Sequence, residues 1–90
     1  MTTRFRKDKD AVLDYKVDWS VWLPTGDTIV SAQAIAGSGI SIISESFNDT
    51  SHTIWVGGGT DNTTVKIVSR VTTAAGRKND ETLIFSIEER

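Results

Sequence analysis

One stretch of this 90-residue chain decides its fold class: Leu13-Asp14-Tyr15-Lys16-Val17-Asp18-Trp19-Ser20-Val21-Trp22-Leu23. Apolar and aromatic residues fill its odd-numbered positions, and polar residues fill most of the even-numbered ones. Because successive side chains of a β-strand point to opposite faces, this alternation predicts a half-buried strand. It also predicts that Trp19 and Val21 face a hydrophobic core.

The composition supports a β-rich domain. Val, Ile and Thr, which are branched at Cβ and fit a pleated sheet, make up 29 of the 90 residues. The chain has no cysteine, a net charge of -2 and no apolar run of about 18 residues. These values argue against a helical bundle, a membrane span and a disulfide-stapled domain. The first residues lack the apolar core of a signal peptide, so we expect synthesis in the cytoplasm.

Turn signals recur along the rest of the chain, starting with Pro24-Thr25-Gly26-Asp27. They separate predicted strands over 28–33, 40–46, 53–56 and 63–73, and a final strand that places Leu83, Phe85 and Ile87 inward. Short strands at this spacing are typical of a sandwich or barrel. The sequence therefore predicts an all-β fold, an antiparallel immunoglobulin-like β-sandwich of six or seven strands. The last two strands should form a hairpin across a loop at 74–80.

The charges divide the chain into a terminal arm and a domain. Residues 1–10 carry a net charge of +2 from Arg4, Arg6, Lys7 and Lys9 against Asp8 and Asp10. We expect a flexible charged arm over 1–10 and a single domain over 11–90. Such an arm suits an acidic partner, whereas its aspartates weaken attraction to phosphates, so no nucleic-acid binding is expected.

The sequence offers little for catalysis. His52, the only histidine, could join Ser51 or Asp49 in a nucleophilic site, but all three belong to one polar turn. A catalytic triad needs groups that converge from different elements. We therefore interpret His52 as an exposed turn residue or a residue that caps a strand end, and we expect no enzyme activity.

Metal and cofactor sites are equally weak. Asp14, Asp18 and Asp27 suggest calcium, but two of them lie four residues apart on one strand face, about 13 Å by strand rise. We interpret these aspartates as solvated. The run Gly57-Gly58-Gly59-Thr60 lacks the Lys-Ser/Thr and helix of a phosphate loop, and indicates a flexible or tightly bent connection. No metal or cofactor is expected.

Two tryptophans carry more information. Trp22 and Trp55 lie on the opposite parity from their apolar neighbours, so the alternation points one or both outward. Exposed tryptophans anchor protein partners, and they also stack on sugar rings. The alternative is that a loop or the second sheet covers them.

Four segments in order resemble a family of small tailed-bacteriophage proteins, the fibre-tail adaptor or Ig-like virion proteins. They are 9–23, Gly26-Asp27-Thr28-Ile29, Ile54-Trp55-Val56-Gly57-Gly58-Gly59-Thr60 and Val71-Thr72-Thr73-Ala74-Ala75-Gly76-Arg77. The block Leu-Asp-Tyr-x-x-Asp-Trp-Ser-x-Trp-Leu at 13–23 is the most specific part. The chain departs from the family pattern at Ala34, where an aromatic is usual, and at Val65, where Tyr is usual.

The resemblance implies a non-enzymatic structural protein of a phage or prophage particle, a tail or head–tail adaptor that binds other phage structural proteins. It implies assembly in the bacterial cytoplasm and then a place in the virion, with ring formation expected only within the particle and no membrane partner. The candidate contact residues are Trp22, Trp55, Arg77, Lys78, Arg4 and Arg6. The alternative function is an Ig-like module that binds carbohydrate or a host surface.

Overall fold

The computed structural model describes residues 2–60 and 62–88, and the described chain is all β. Its seven strands are β1 (Thr2–Lys7), β2 (Leu13–Asp18), β3 (Ile29–Ala36), β4 (Ser41–Phe47), β5 (Ser51–Gly57), β6 (Thr63–Thr73) and β7 (Lys78–Ile87). They form a four-stranded sheet in the order β1-β7-β6-β3 and a three-stranded sheet in the order β2-β5-β4. The all-β sandwich predicted from the sequence is confirmed.

The core lies between the two sheets and is built by period-two alternation. On β6 the inward residues Val65, Ile67 and Val71 are buried, and on β7 Leu83, Phe85 and Ile87 are buried. The two strands pair antiparallel along their whole length, from Thr63 opposite Ile87 to Thr72 opposite Lys78. The predicted bounds of the 63–73 strand and the inward face of the last strand are both confirmed.

The strand predicted from the stretch at 13–23, which is β2, ends earlier than the alternation predicts. β2 stops at Asp18, whose carboxylate accepts a hydrogen bond from the Ser20 N–H at 2.9 Å and begins a turn. The N–H groups of Trp22 and Leu23 both donate to the Trp19 carbonyl, at 3.1 and 3.0 Å. Trp19 stays fully buried, as predicted, but the prediction for Val21 is wrong.

The side chain of Val21 lies at the apex of this turn and is 97% exposed. Strand alternation therefore gives no information beyond Asp18, because the chain leaves the extended conformation there.

The β6–β7 connection is shorter than the predicted loop at 74–80. β7 already begins at Lys78, and the Thr73 N–H donates to the Arg77 carbonyl at 2.8 Å, which leaves a loop of residues 74–77. Lys78, Asn79 and Asp80, which suggested a loop, belong to β7, and Lys78 and Asp80 are exposed there. Arg70 faces Asp80 across the hairpin and holds its carboxylate with two hydrogen bonds, at 2.9 and 3.1 Å.

The N-terminal segment differs from the expected flexible arm. Residues 2–7 form β1, which pairs in parallel with β7, so the sandwich is not wholly antiparallel. Lys7, expected in solvent, is buried, and its ammonium group donates to the carbonyls of Asp8 and Gly58, at 2.9 and 2.6 Å. Burial lowers the pKa of Lys7, while nearby carboxylates oppose this shift. The ends of the predicted arm and domain, residues 1 and 89–90, lie outside the described part of the chain.

Aromatic packing closes the sandwich where β1 approaches β2. The ring centroids of Phe5 and Tyr15 are 4.8 Å apart, and Phe85 lies within 5.3 Å of both. Such pairs add stabilisation beyond the apolar area that they bury. Burial also raises the pKa of the Tyr15 hydroxyl.

At the opposite side, β3 and β4 are edge strands and each contains a bulge. The register shifts between Ile29 and Ser31 in β3, and between Ile42 and Ser44 in β4. Bulges on edge strands disturb the ladder and reduce unwanted pairing with other chains.

The tight bends at Gly59 and Gly76 lead to a first prediction about stability. Gly59 has a φ of +114°, and a Cβ there would lie 2.9 Å from the Ile87 Cδ1, whereas Gly76 has a φ of +89° and open space around it. Gly76→Ala should cost about 1 kcal/mol of unfolding free energy from backbone strain alone. Gly59→Ala should cost about 1–3 kcal/mol more because the new methyl overlaps the core. Urea unfolding checks this, and equal losses for the two variants would contradict it.

Candidate functional site

The side chain of His52 lies in the core, not in an exposed turn. It is fully buried on β5, and its Nδ1 lies 2.8 Å from the Oγ of Ser69 on β6, in the other sheet. Its Nε2 lies 3.0 Å from the Oε1 of Glu45 on β4. Because a carboxylate only accepts, Nε2 donates to Glu45, and Nδ1 forms the second hydrogen bond with the Ser69 hydroxyl. The sequence interpretation of His52 as an exposed or strand-capping residue is therefore wrong.

Glu45 extends this network to a fourth strand. Its Oε1 also accepts the backbone N–H of Ala34 on edge strand β3, at 3.0 Å. The network of Glu45, His52 and Ser69 thus joins β3, β4, β5 and β6, and we call it the cross-sheet network. It resembles a Ser-His-acid triad in composition, but Ser69 is fully buried and has no surface to offer a substrate. Its geometry is that of a structural clamp.

A second cluster ties loops together at one end of the sandwich. The Asp27 side chain is only 5% exposed, and it accepts hydrogen bonds from the N–H groups of Thr28 and Ala75 and from the Arg77 guanidinium, at 3.0–3.1 Å. Burial alone would raise the pKa of Asp27, but these bonds and one from the Thr73 hydroxyl together lower it. Asp27 is therefore not the solvated residue we expected. Arg77, a candidate contact, holds this loop in place and keeps half of its side chain exposed.

An exposed apolar patch lies on the outer face of the β2-β5-β4 sheet. Trp55 is 42% exposed, Ile43 is 58% exposed and Val12 is 53% exposed. Gly57 lies between them, two residues from Trp55 on the same face of β5. A Cβ at Gly57 would lie 3.1 Å from Ile43 and 3.5 Å from Val12, so the glycine lets the two side chains approach each other across the strand. We call Val12, Ile43 and Trp55 the Trp55 patch.

The β4 bulge and the strand register position this patch. Ile42 pairs with Val56 and Ser44 pairs with Trp55, so Ile43 is the extra residue of the bulge. On the other side of β5, Asp14 stands opposite Trp55. The patch therefore has a carboxylate on one flank and a hydroxyl on the other. The alternation that pointed Trp55 outward is in line with its exposure.

Trp22 occupies a different environment. It is half-buried in the turn after β2, and its ring meets that of Trp19 edge-to-face, with centroids 5.3 Å apart. It packs against the core cluster. A substitution of Trp22 therefore disturbs the core as well as the surface, and its role as a partner contact stays a prediction.

The remaining candidate contacts lie on the outer face of the four-stranded sheet or beside it. Arg4 and Arg6 are exposed on β1, and Arg6 forms an ion pair with Glu88 at 3.5 Å. Lys78 lines a shallow open depression of about 360 Å³ with Arg70, Asn79 and Asp80. The structure thus separates the six candidates: Trp55 lies on one sheet face, Arg4, Arg6 and Lys78 lie on the other, and Trp22 and Arg77 lie in loops.

Within residues 2–60 and 62–88, no group of three His, Cys, Asp or Glu side chains is placed to hold a metal ion. In the same part of the chain, no helix is long and apolar enough to cross a bilayer. Asp14 and Asp18 are exposed on β2, as predicted. Gly58 and Gly59 both take positive φ, in line with a tight bend.

Sequence reasoning missed two features of these sites. Ser69 has no signal of its own, because it is one polar position on the inward face of β6. The pairing of Ser69 with His52 depends on how the two sheets face each other, which no local pattern encodes. Ile43 lies in an apolar run, and only the bulge places it beside Trp55.

These features define a small β-sandwich whose distinctive groups lie on its sheet faces and loops. A family model described as "Podophage GP4 fiber-tail adaptor protein gp77" matches residues 7–86. The chain belongs to this family of phage tail adaptor proteins, which confirms the resemblance drawn from the sequence. No curated protein matches the chain.

The cross-sheet network makes a prediction about stability. Ser69→Ala leaves the buried Nδ1 of His52 without a hydrogen-bond partner, so it should lower the unfolding free energy by about 1–3 kcal/mol. Ser46→Ala, at an exposed position of β4, is the matched control and should change it by less than about 0.5 kcal/mol. Urea denaturation measures both, and equal values for the two variants would rule out the clamp.

The lowered pKa of Asp27 leads to a prediction about how stability depends on pH. Its folded-state pKa lies below 3.8, so its stabilising effect is present above that pH and is lost as the pH falls through the lower value. Asp27→Asn should therefore be less stable than the wild type at neutral pH, and the difference should shrink under acid. Asp49→Asn, at an exposed carboxylate of the same end, is the control. Thermal unfolding against pH gives the answer, and a constant difference at every pH would count against this role.

Proposed function

We propose that this chain is a non-enzymatic structural component of a phage or prophage particle, at the tail or the head–tail junction, and that it acts through protein–protein contacts. The single observation that carries the proposal is the family match over residues 7–86. On this proposal the chain assembles in the bacterial cytoplasm, becomes part of the virion and binds neither nucleic acid nor membrane.

The fold supports the proposal at a finer level. The strand orders β2-β5-β4 and β7-β6-β3 are the B-E-D and G-F-C orders of an immunoglobulin sandwich. We therefore infer that the domain is immunoglobulin-like, with β1 added beside the last strand. Such sandwiches present faces, edges and loops on a rigid framework, which suits a protein whose task is contact.

The Trp55 patch is the surface we assign to that contact. It places three large apolar side chains from both edge regions and the centre of one sheet side by side in solvent. Isolated exposed apolar residues are ordinary, but a contiguous group marks an interaction site. Tryptophan is also among the residues that contribute most to protein interfaces. Arg4, Arg6, Arg77, Lys78 and Trp22 remain proposed secondary contacts.

The alternative function is carbohydrate or host-surface binding, and one observation favours it. Trp55 is an exposed aromatic ring with Asp14 and Ser44 in register on either side, so hydrogen-bonding groups flank a stacking surface. Its tryptophan fluorescence would then shift on saturation with a glycan. We favour the protein contact because Ile43 and Val12 make the surroundings of the ring apolar.

The test is Trp55→Ala in a phage that depends on this gene. Trp55 is 42% exposed, so the truncation also removes packing on β5 and should lower the unfolding free energy by about 1–2 kcal/mol while leaving the domain folded. Loss of a tryptophan anchor should cost the contact about 2 kcal/mol, roughly 30-fold in affinity, and the yield of infectious particles should fall. Val30→Ala, at a similarly exposed apolar residue of β3, is the control.

Normal particle yield from Trp55→Ala would contradict the assigned contact. A saturable glycan-dependent fluorescence shift together with normal assembly would favour the alternative.

A further inference from the structure

The outer face of the four-stranded sheet concentrates positive charge. Five of the ten lysine and arginine residues lie on it, at alternating positions of β1, β6 and β7: Arg4, Arg6, Lys66, Arg70 and Lys78. Arg6 is paired with Glu88 and Arg70 with Asp80. In the part of the chain that the structure describes, Arg4, Lys66 and Lys78 form no ion pair. We call this surface the basic face.

The basic face also has an apolar centre. Arg4 and Lys66 both stand opposite Ile84, one on each side of it. In the next row along the sheet, Val68 stands opposite Ile35. The half-buried Ile84 and Val68 therefore lie between cations, and a surface that fits this face must offer apolar groups with carboxylates beside them.

The opposite face of the same molecule offers that combination. The Trp55 patch supplies the apolar groups, and Asp14 and Asp18 are exposed on the same side of β2. Lys16 is exposed between these two aspartates, so the charged side chains of β2 on this face sum to -1, whereas the five cations of the basic face with Asp80 and Glu88 sum to +3. The two faces are thus complementary in charge, and both have an apolar centre.

We propose that the partner seated on the Trp55 patch is a second copy of this chain, which covers the patch with its basic face. The inference rests on the proposed function, because it names the partner of the same contact surface. The molecule measures 43 × 21 × 19 Å. A whole long side of the molecule, loops included, therefore offers roughly 800–900 Å², about what each partner gives to a standard interface.

The geometry fixes the kind of assembly. The two complementary surfaces lie on opposite sides of one sandwich. A contact between two copies therefore leaves one basic face and one Trp55 patch uncovered. Such a head-to-tail contact does not close as a two-fold dimer, but repeats to form a ring or a filament. Because exposed charges steer the contact, added salt weakens it.

The experiment is sedimentation velocity on the purified full chain at increasing concentration, in low and high salt. The wild type should form species larger than a dimer, and fewer of them in high salt. Arg4→Glu with Lys66→Glu breaks the basic face, and Trp55→Ala with Ile43→Lys breaks the patch. Each pair should weaken self-association at least tenfold. Val30→Lys, at an exposed bulge residue of edge strand β3 and outside the Trp55 patch, is the matched control for Ile43→Lys and should associate like the wild type.

The most decisive measurement mixes the basic-face variant with the Trp55-patch variant. Each retains the face that the other lacks, so the mixture should form a one-to-one dimer that grows no further. A wild type that stays monomeric overturns the inference, as does a basic-face variant that associates normally or a mixture that stays monomeric. Circular dichroism verifies folding, and Arg4→Gln with Lys66→Gln replaces the basic-face variant if charge reversal prevents folding.

The two proposals can fail separately. If the wild type is monomeric but Trp55→Ala still reduces particle yield, the patch binds another phage protein and only the second-copy inference is lost.

Discussion

The hydrogen bonds on both ring nitrogens of His52 set the relation between the two sheets. The imidazole is fully buried, and it bridges Ser69 in one sheet to Glu45 in the other. A slip of one residue along β5 would move every side chain of that strand to the opposite face. It would also bury Trp55 and leave the polar groups around His52 without partners, which is costly in a dry interior. The requirement that His52 face inward therefore requires that Trp55 face outward.

The register of β5 also determines which side chains lie on the outer face of its sheet. With Ile54 and Val56 inward beside His52, Gly57 comes to the outer face, where its missing side chain makes room for Ile43 and Val12. The opposite sheet is fixed in the same way by its buried inward residues, and its lysines and arginines other than Lys7 lie on the outer side. A chain without cysteine thus uses buried hydrogen bonds on one flank and aromatic packing on the other to hold two chemically different faces apart.

Much of this fold could be predicted where the alternation is strict. The 63–73 strand and the inward face of β7 follow from residues such as Val65 and Phe85 alone. The prediction fails at Val21, because the Asp18 carboxylate and the carbonyl of Thr50, which accepts the Trp19 N–H, turn the chain away. Neither effect is visible in a pattern of hydrophobicity.

The features that the sequence does not predict depend on contacts between segments far apart in the chain. β1 forms because residues 2–7 find a parallel partner some 80 positions later in the chain, and nothing in the charged N-terminal sequence announces that pairing. The candidate site was predicted in part: Trp55 was identified from its parity, whereas Ile43 joins it only through a bulge. His52 was misplaced because its partner Ser69 lies in the other sheet.

The family assignment and the surface chemistry lead to one account: a small sandwich that contributes its faces to a phage tail. The most direct test is a cryo-EM map of the assembled particle that resolves this chain. Our account predicts that the Trp55 ring is covered by a protein neighbour and that the outer face of the β2-β5-β4 sheet is an interface. A map in which this sheet face is open to solvent, with Trp55 uncovered, would contradict it.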